Sequence, residues 1–308
     1  MNLNHFFIGA GRTDVFCVGE KRLARLEAEG RYSCYRNTRA MLRKLSLFMK
    51  GKPLPAGKVT PDWVLSFQRF LQQQLGNSQN TVVENLKVLS LLLDEAGVKE
   101  NPCKKVSVSR VQTRRQYLLE EEIDRLMSCR LKTGSEQETA RDIFYVECRT
   151  GLRISDLLCL RWQDYDGCFI RLRMRKTCRT IEIPVARSVR AILEKYRSLF
   201  SFPDTFVFPF IQKESLSDEC FTLSRAIIYA TSRINLQLKK LAQRAGITKN
   251  LSTHVGRHTF ATMLISKGAS LYEVKELLGH QDVKITQVYA HLLDTRKQEL
   301  VELLEQDG

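Results

Sequence analysis

The sequence predicts a multidomain, mainly α protein: a small basic helical bundle followed by a larger mixed α/β domain with a small antiparallel sheet. Three observations lead there. At about 100–200 residues per domain, a chain of 308 residues implies about two cores. A 3.6-residue apolar period runs through most of the chain and gives way to strict alternation in one stretch, around residues 169–185. Charge is unevenly spread as well. The chain holds 49 Lys/Arg against 34 Asp/Glu, a net of +15, and residues 1–110 alone hold 18 against 9, so the shorter domain carries more than half of the excess. Hydrophobic and charged fractions of 43% and 27% are ordinary for globular chains, which excludes a disordered tail.

Residues 1–104 are assigned to the basic bundle. Tyr32–Met49 places Met41, Leu42, Leu45 and Phe48 on one helical face and Arg36, Arg39, Arg43 and Lys44 on others. Thr60 as N-cap with Pro61 at the first position opens a second helix that stops near Gly76. Asn80 starts a third, Thr81–Ala96, closed by Gly97. Residues 105–116 read as a basic linker, because they lack a helical period and contain no acidic residue. The second domain, 117–308, begins with helices at Glu120–Cys129 and Ala140–Cys148. An Asp166-Gly167 turn then leads into Phe169–Met174, which alternates apolar and basic residues, and Thr180–Val185 answers it across a short connection. Leu160–Tyr165 is expected to add a third strand, and from Ser188 onward the pattern is mostly helical.

A net of +15 points to a polyanionic partner, nucleic acid before an anionic membrane surface. A spanning helix needs about 20 apolar residues, and the candidate run Val88–Leu93 stops at Asp94. The start shows no basic segment followed by a long apolar one, so a cytoplasmic, nucleoid-associated location is expected. Nine cysteines with no Cys-x-x-Cys pair read as reduced thiols.

The residues suited to chemistry cluster. Four of the five histidines fall between 254 and 291, beside Arg257 and Tyr289. His254 and Arg257, spaced i, i+3, can face one point from the first turn of a helix. Arg153 follows a glycine-containing break, and Lys176 sits at the tip of the proposed hairpin. Arginines offer bidentate donors to phosphate oxygens, and in a phosphoryl-transfer transition state those oxygens hold the charge. Tyrosine can act as a covalent nucleophile when nearby cations or a base favour its phenolate.

In ordered combination, these motifs resemble the tyrosine site-specific recombinases, the integrase family. Thr150-Gly-Leu-Arg153-Ile-Ser resembles that family's first box and His254-x-x-Arg257-His258-Thr-Phe-Ala-Thr its second. Leu278-Gly-His280 followed by Tyr289 resembles the third, and Lys176 matches the family's hairpin lysine. The resemblance implies a SAM-like N-terminal bundle and a C-terminal catalytic domain that clamp duplex DNA. It further implies that Tyr289 attacks the scissile phosphate to give a 3′-phosphotyrosyl link, while Arg153 and Arg257 hold the nonbridging oxygens. Lys176 would protonate the departing 5′ oxygen, His254 would assist proton transfer at the tyrosine, and His280 would hydrogen-bond the phosphate.

The resemblance implies no metal and no ATP or other cofactor, because the ester keeps the bond energy for rejoining. The implied partners are DNA with inverted-repeat core sites, a dimer on each site, a tetramer in the synapse and accessory DNA-bending proteins, with no membrane. An amphipathic stretch, Asp294–Gln306, resembles the terminal helix that docks on a neighbouring protomer. Two positions depart from the pattern: Asp156 stands where many relatives have Glu, and Gly256 where Leu is common.

Three other readings compete. His254 and His258 have the i, i+4 spacing of a zinc-binding helix, but Val255 occupies the place of the glutamate base. A noncatalytic DNA-binding protein would account for the charge without requiring Tyr289, Lys176 and both arginines together. A type IB topoisomerase would share the site chemistry but relax DNA without strand exchange.

Overall fold

The computed structural model describes residues 14–111, 115–198, 202–211 and 220–279. His280, Tyr289 and Asp294–Gln306 lie outside the described residues. The chain divides into two compact units, Met1–Thr113 with Ser217–Arg225, and Arg114–Leu216 with Ala226–Gly308. No described helix is long and apolar enough to cross a membrane.

Among the described residues, four α-helices between Val15 and Glu95 build the first unit. Helix α1 (Val15–Ala28), which the apolar pattern alone did not mark, starts where the Asp14 carboxylate accepts the backbone N–H of Phe16 at 2.9 Å. Helix α2 spans Tyr32–Met49, and α3 (Pro61–Arg69) opens as expected, with the Thr60 hydroxyl accepting from Trp63 N. Helix α3 passes into a wider π-type turn, Phe70–Gln74, before Gly76. Helix α4 (Gln79–Glu95) is capped by Ser78 rather than Asn80. Asn80 is used differently: its side chain donates to Val111 O and accepts from Val111 N, both at 3.0 Å. With Gln79 donating to Ser109 O and an Arg110–Glu84 ion pair, this lays residues 109–111 along the start of α4. Met41, Leu45, Val64, Phe67 and Leu89 are fully buried in the shared core.

The second unit begins with α5 (Glu120–Met127) and α6 (Glu136–Thr150), which starts four residues before the expected boundary because Ser135 caps it. Gly151 ends α6 at φ +65°, a left-handed conformation that favours glycine. A Cβ there would also meet Phe260 and, at 2.9 Å, Leu278. Arg153 stands at the N-cap position of the short α7 (Ile154–Leu157), its side chain making no capping bond.

Strands β1 (Phe169–Arg173) and β2 (Thr180–Pro184) form the predicted antiparallel hairpin, with Arg171 opposite Glu182 on the exposed face and Ile170, Leu172, Ile181 and Ile183 buried. The expected third strand is corrected: Leu160–Tyr165 contributes a 3₁₀ turn, Trp162–Asp164, and only isolated bridges. Asp164 accepts Arg161 N and closes the turn, while Trp162 N donates to Thr205 O, so the segment does not extend the hairpin. Helices α8 (Arg187–Lys195), α9 (Cys220–Arg244), α10 (Thr253–Ser266) and α11 (Leu271–Leu278) complete the described fold, and α11 opens with the predicted Ser270/Glu273 capping box.

Candidate active site

Helix α10 packs along α6 and is buried over most of its circumference, so a charged side chain pointing inward from it needs partners. Arg257 is such a side chain, 9% exposed. Its guanidinium donates through Nη1 to Gly151 O at 2.5 Å and through Nη2 to Leu278 O at 2.7 Å. One arginine thereby ties the break before Arg153 to the end of α11, where Gly279 leads to His280. Three boxes that are distant in sequence meet at this residue.

Arg153 is half-buried, and its Nη1 lies 3.2 Å from Met174 Sδ at the base of the hairpin tip. Burial lowers its pKa, and the nearby Asp156 opposes that shift. Asp156, 3% exposed, accepts the backbone N–H of Arg175 at 2.9 Å. This bond fixes the residue preceding Lys176 against the turn that carries Arg153. The Asp156 carboxyl is held above the ordinary range by burial, against the pull of the Arg175 amide, Arg153 and Arg257. Gly279 packs on the same Met174, since a Cβ at that position would approach Sδ to 2.8 Å.

Lys176 is exposed in the turn closing β1 to β2. His254 is exposed one turn before Arg257, and its pKa is lowered by lost hydration and then by the charges of Arg257, Lys176 and Arg115. The described residues therefore bring together four of the six expected site residues: Arg153, Lys176, His254 and Arg257. The remaining two, His280 and Tyr289, lie outside them. Among the described residues, no cluster of three His, Cys, Asp or Glu side chains is placed to hold a metal ion.

Two residues near the site escaped the sequence reading. Arg115 is brought beside His254 and His258 because Gln116 accepts from Asn250 N and Leu118 N donates to Thr259 Oγ1, both at 2.9 Å. The sequence offered only its place in a basic run. Glu147 is buried in the last turn of α6, one helical turn after Ile143 and Phe144 (i+4 and i+3) on the same face. That phase is legible in the sequence, but carboxylates are rarely buried, so the pattern alone does not mark the position. Glu147 also explains Gly256: a Cβ at 256 would come within 2.8 Å of Glu147 Oε2.

The His258 pKa is lowered to about 4 by burial and by the charges of Arg115, His254 and Arg257. In the unfolded chain it titrates near ~6.5. Between those values the unfolded chain binds more protons, so stability rises with pH through this window and is lost as pH falls toward 4. Thermal unfolding followed from pH 7 to 4 should show this loss, and His258→Gln should flatten it.

Residues 116–296 match the phage integrase family, and residues 14–109 match the phage integrase SAM-like domain. The chain belongs to the phage integrase family of tyrosine recombinases. A tyrosine recombinase of Thermosipho africanus is 31% identical over 211 residues, covering 67% of this chain and 68% of the relative. The tyrosine recombinase XerD of Oceanobacillus iheyensis is 27% identical over 256 residues, covering 79% and 81%. The fold is shared with the Tn1549 transposon integrase solved with transposon right-end DNA, at 17% identity and TM-score 0.65 over 94% of this chain and 99% of that one. It is also shared with a lambda integrase dimer bound to a core site, at 17% identity and TM-score 0.63 over 90% and 95%. This recombinase is an enzyme of site-specific DNA recombination.

Proposed function

We propose that this recombinase exchanges DNA strands through a covalent link to Tyr289, with Arg153 and Arg257 on the nonbridging oxygens of one phosphate. The convergence of Arg153, Lys176, His254 and Arg257 around the Gly151 break carries this reading. Phosphoryl transfer concentrates charge on the equatorial oxygens, and preorganised guanidinium donors stabilise it there. His254, whose pKa is lowered by its surroundings, accepts the phenol proton of Tyr289 as the phosphorus–oxygen bond forms. Lys176 delivers a proton to the departing 5′ oxygen. The product is a 3′-phosphotyrosyl ester and a free 5′-hydroxyl, and attack by another 5′-hydroxyl reverses the step and rejoins the strands. His280 adds a hydrogen bond to the phosphate. Arg153, Arg257 and Lys176 supply the cationic stabilisation, so the sequence of steps requires neither metal nor ATP.

The substrate is double-stranded DNA with inverted-repeat core sites, one protomer on each repeat and four in the synapse. The lambda integrase tetramer solved on a Holliday junction and the Tn1549 integrase solved on transposon-end DNA support this assignment. The +9 of residues 1–110 supplies sequence-tolerant grip on the phosphate backbone. The setting is a cytoplasmic, nucleoid-associated one, on a mobile element or replicon, where the arrangement of sites and DNA-bending partners sets integration, excision or inversion as the outcome.

The test uses a duplex selected from a random pool by retention on the protein and nicked beside the cleavage point, so that the 5′-hydroxyl is lost after attack. Covalent protein–DNA adducts should accumulate in EDTA without nucleotide. Failure to form adducts on DNA that the protein binds specifically would overturn the reading.

A further inference from the structure

Met174 lies where three parts of the site converge, and its place follows from the strand before it. The period of β1 turns Ile170 and Leu172 inward and Arg171 and Arg173 outward. Met174, one residue past the strand, continues the inward row and is 1% exposed. Its backbone closes the turn that carries Lys176: Met174 N donates to Arg179 O and Met174 O accepts from Cys178 N, both at 2.9 Å. Its side chain lies against Gly279, the residue before His280, where a Cβ would overlap the terminal methyl and come within 2.8 Å of Sδ.

The sulfur is the part that packing does not require. Leu or Ile would fill an apolar slot with less rotamer freedom to lose, yet the position holds an unbranched thioether whose Sδ accepts from Arg153 Nη1 at 3.2 Å. Among the described residues this is the one hydrogen bond of the Arg153 guanidinium. Asp156, whose charge acts on Arg153, gives its Oδ1 to the Arg175 amide and forms no ion pair with Arg153 among the described residues. A thioether is a weak, polarisable acceptor. It orients a guanidinium through one N–H and leaves the charge and the other donors to a phosphate, whereas a carboxylate in its place would form a charge-assisted pair and compete with that phosphate.

We propose that Met174 is a positioning residue of this recombinase: its sulfur holds the Arg153 guanidinium in register with the Lys176 turn, so that the phosphate ligand and the proton donor meet at one scissile bond. The inference rests on the reading of Arg153 as a phosphate ligand. Loss of the sulfur therefore acts on the rate of cleavage. DNA affinity, spread over many backbone phosphates, stays as it is.

The test follows single-turnover cleavage of the nicked duplex, with thermal unfolding alongside, for Met174→Leu, Arg153→Lys and the double variant. A further sample is the parent carrying norleucine, which replaces sulfur by methylene in the same shape, at its six methionines. Met174→Leu should lower the cleavage rate constant about tenfold, since small displacements of catalytic groups are costly, with its half-saturating DNA concentration unchanged. Exchange of Met for Leu conserves volume, so the unfolding midpoint should stay near the parent's; should packing shift it, the norleucine protein keeps the parental shape and carries the comparison. That protein should show the same rate loss, and norleucine should slow Met174→Leu no further. The double variant should lose little beyond Arg153→Lys, which leaves no guanidinium to aim. A parental rate for Met174→Leu or for the norleucine protein, a norleucine loss repeated in full on Met174→Leu, or multiplicative losses in the double variant would overturn the inference. Arg153→Lys separates the two levels. If it cleaves like the parent, the phosphate-ligand reading fails and the inference fails with it; if it is slow while Met174→Leu is normal, only the inference fails.

Discussion

Arg257→Ala is expected to destabilise the second unit by about 3–5 kcal/mol, the range measured when one partner of a buried charged network is removed. The loss has three sources. Gly151 O and Leu278 O lose their donors at 2.5 and 2.7 Å, and buried carbonyls without partners cost free energy. The buried Glu147 loses the nearest charge that opposes its desolvation. The break before Arg153 and the end of α11 also lose their common tether. Denaturant unfolding should show the shift in midpoint, and a change under about 1 kcal/mol would contradict the tether. Cleavage should fall by a further factor of about 10²–10³ at temperatures where the variant remains folded, as when one preorganised donor to a transition state is lost.

Tyr289→Phe is expected to abolish covalent adducts altogether while leaving DNA affinity within about twofold. The hydroxyl is the only group the substitution removes, and phenylalanine has no nucleophile to offer in its place. Affinity comes mainly from neutralised backbone phosphates, to which the +15 of the chain contributes and the phenol does not. Retention of the salt-dependent complex together with a complete absence of adduct separates nucleophile from binding residue. Adducts that persist would move the nucleophile to another residue.

The parts of the fold legible in the sequence are those set by local chemistry. Thr60-Pro61 at α3, the Ser270/Glu273 box at α11 and the alternation of β1 and β2 each encode their own geometry within a few residues. What escaped depends on distant partners. Asn80 looked like a cap but bonds Val111, because Ser78 two residues earlier takes the cap. Leu160–Tyr165 looked like a strand but turns: it meets its neighbours only through single bridges, Arg161 with Phe206 and Tyr165 with Ile170, on either side of a 3₁₀ turn. The site followed the same division. Arg153, Lys176, His254 and Arg257 were marked by spacing and residue type, whereas the coupling of Asp156 to Arg175 N and of Arg257 to Gly151 O and Leu278 O required the folded chain. Gly256, a departure when read alone, became intelligible once Glu147 was seen beside it.

The central claim is that one phosphate is exchanged onto one tyrosine. Its most direct test is mass spectrometry of the DNA-linked peptide after digestion of the trapped adduct, with the DNA labelled separately at each strand end. The account predicts a tryptic peptide containing Tyr289 joined to a 3′-phosphate, with a free 5′-hydroxyl on the released strand. A link to any other residue, or to a 5′-phosphate, would contradict it.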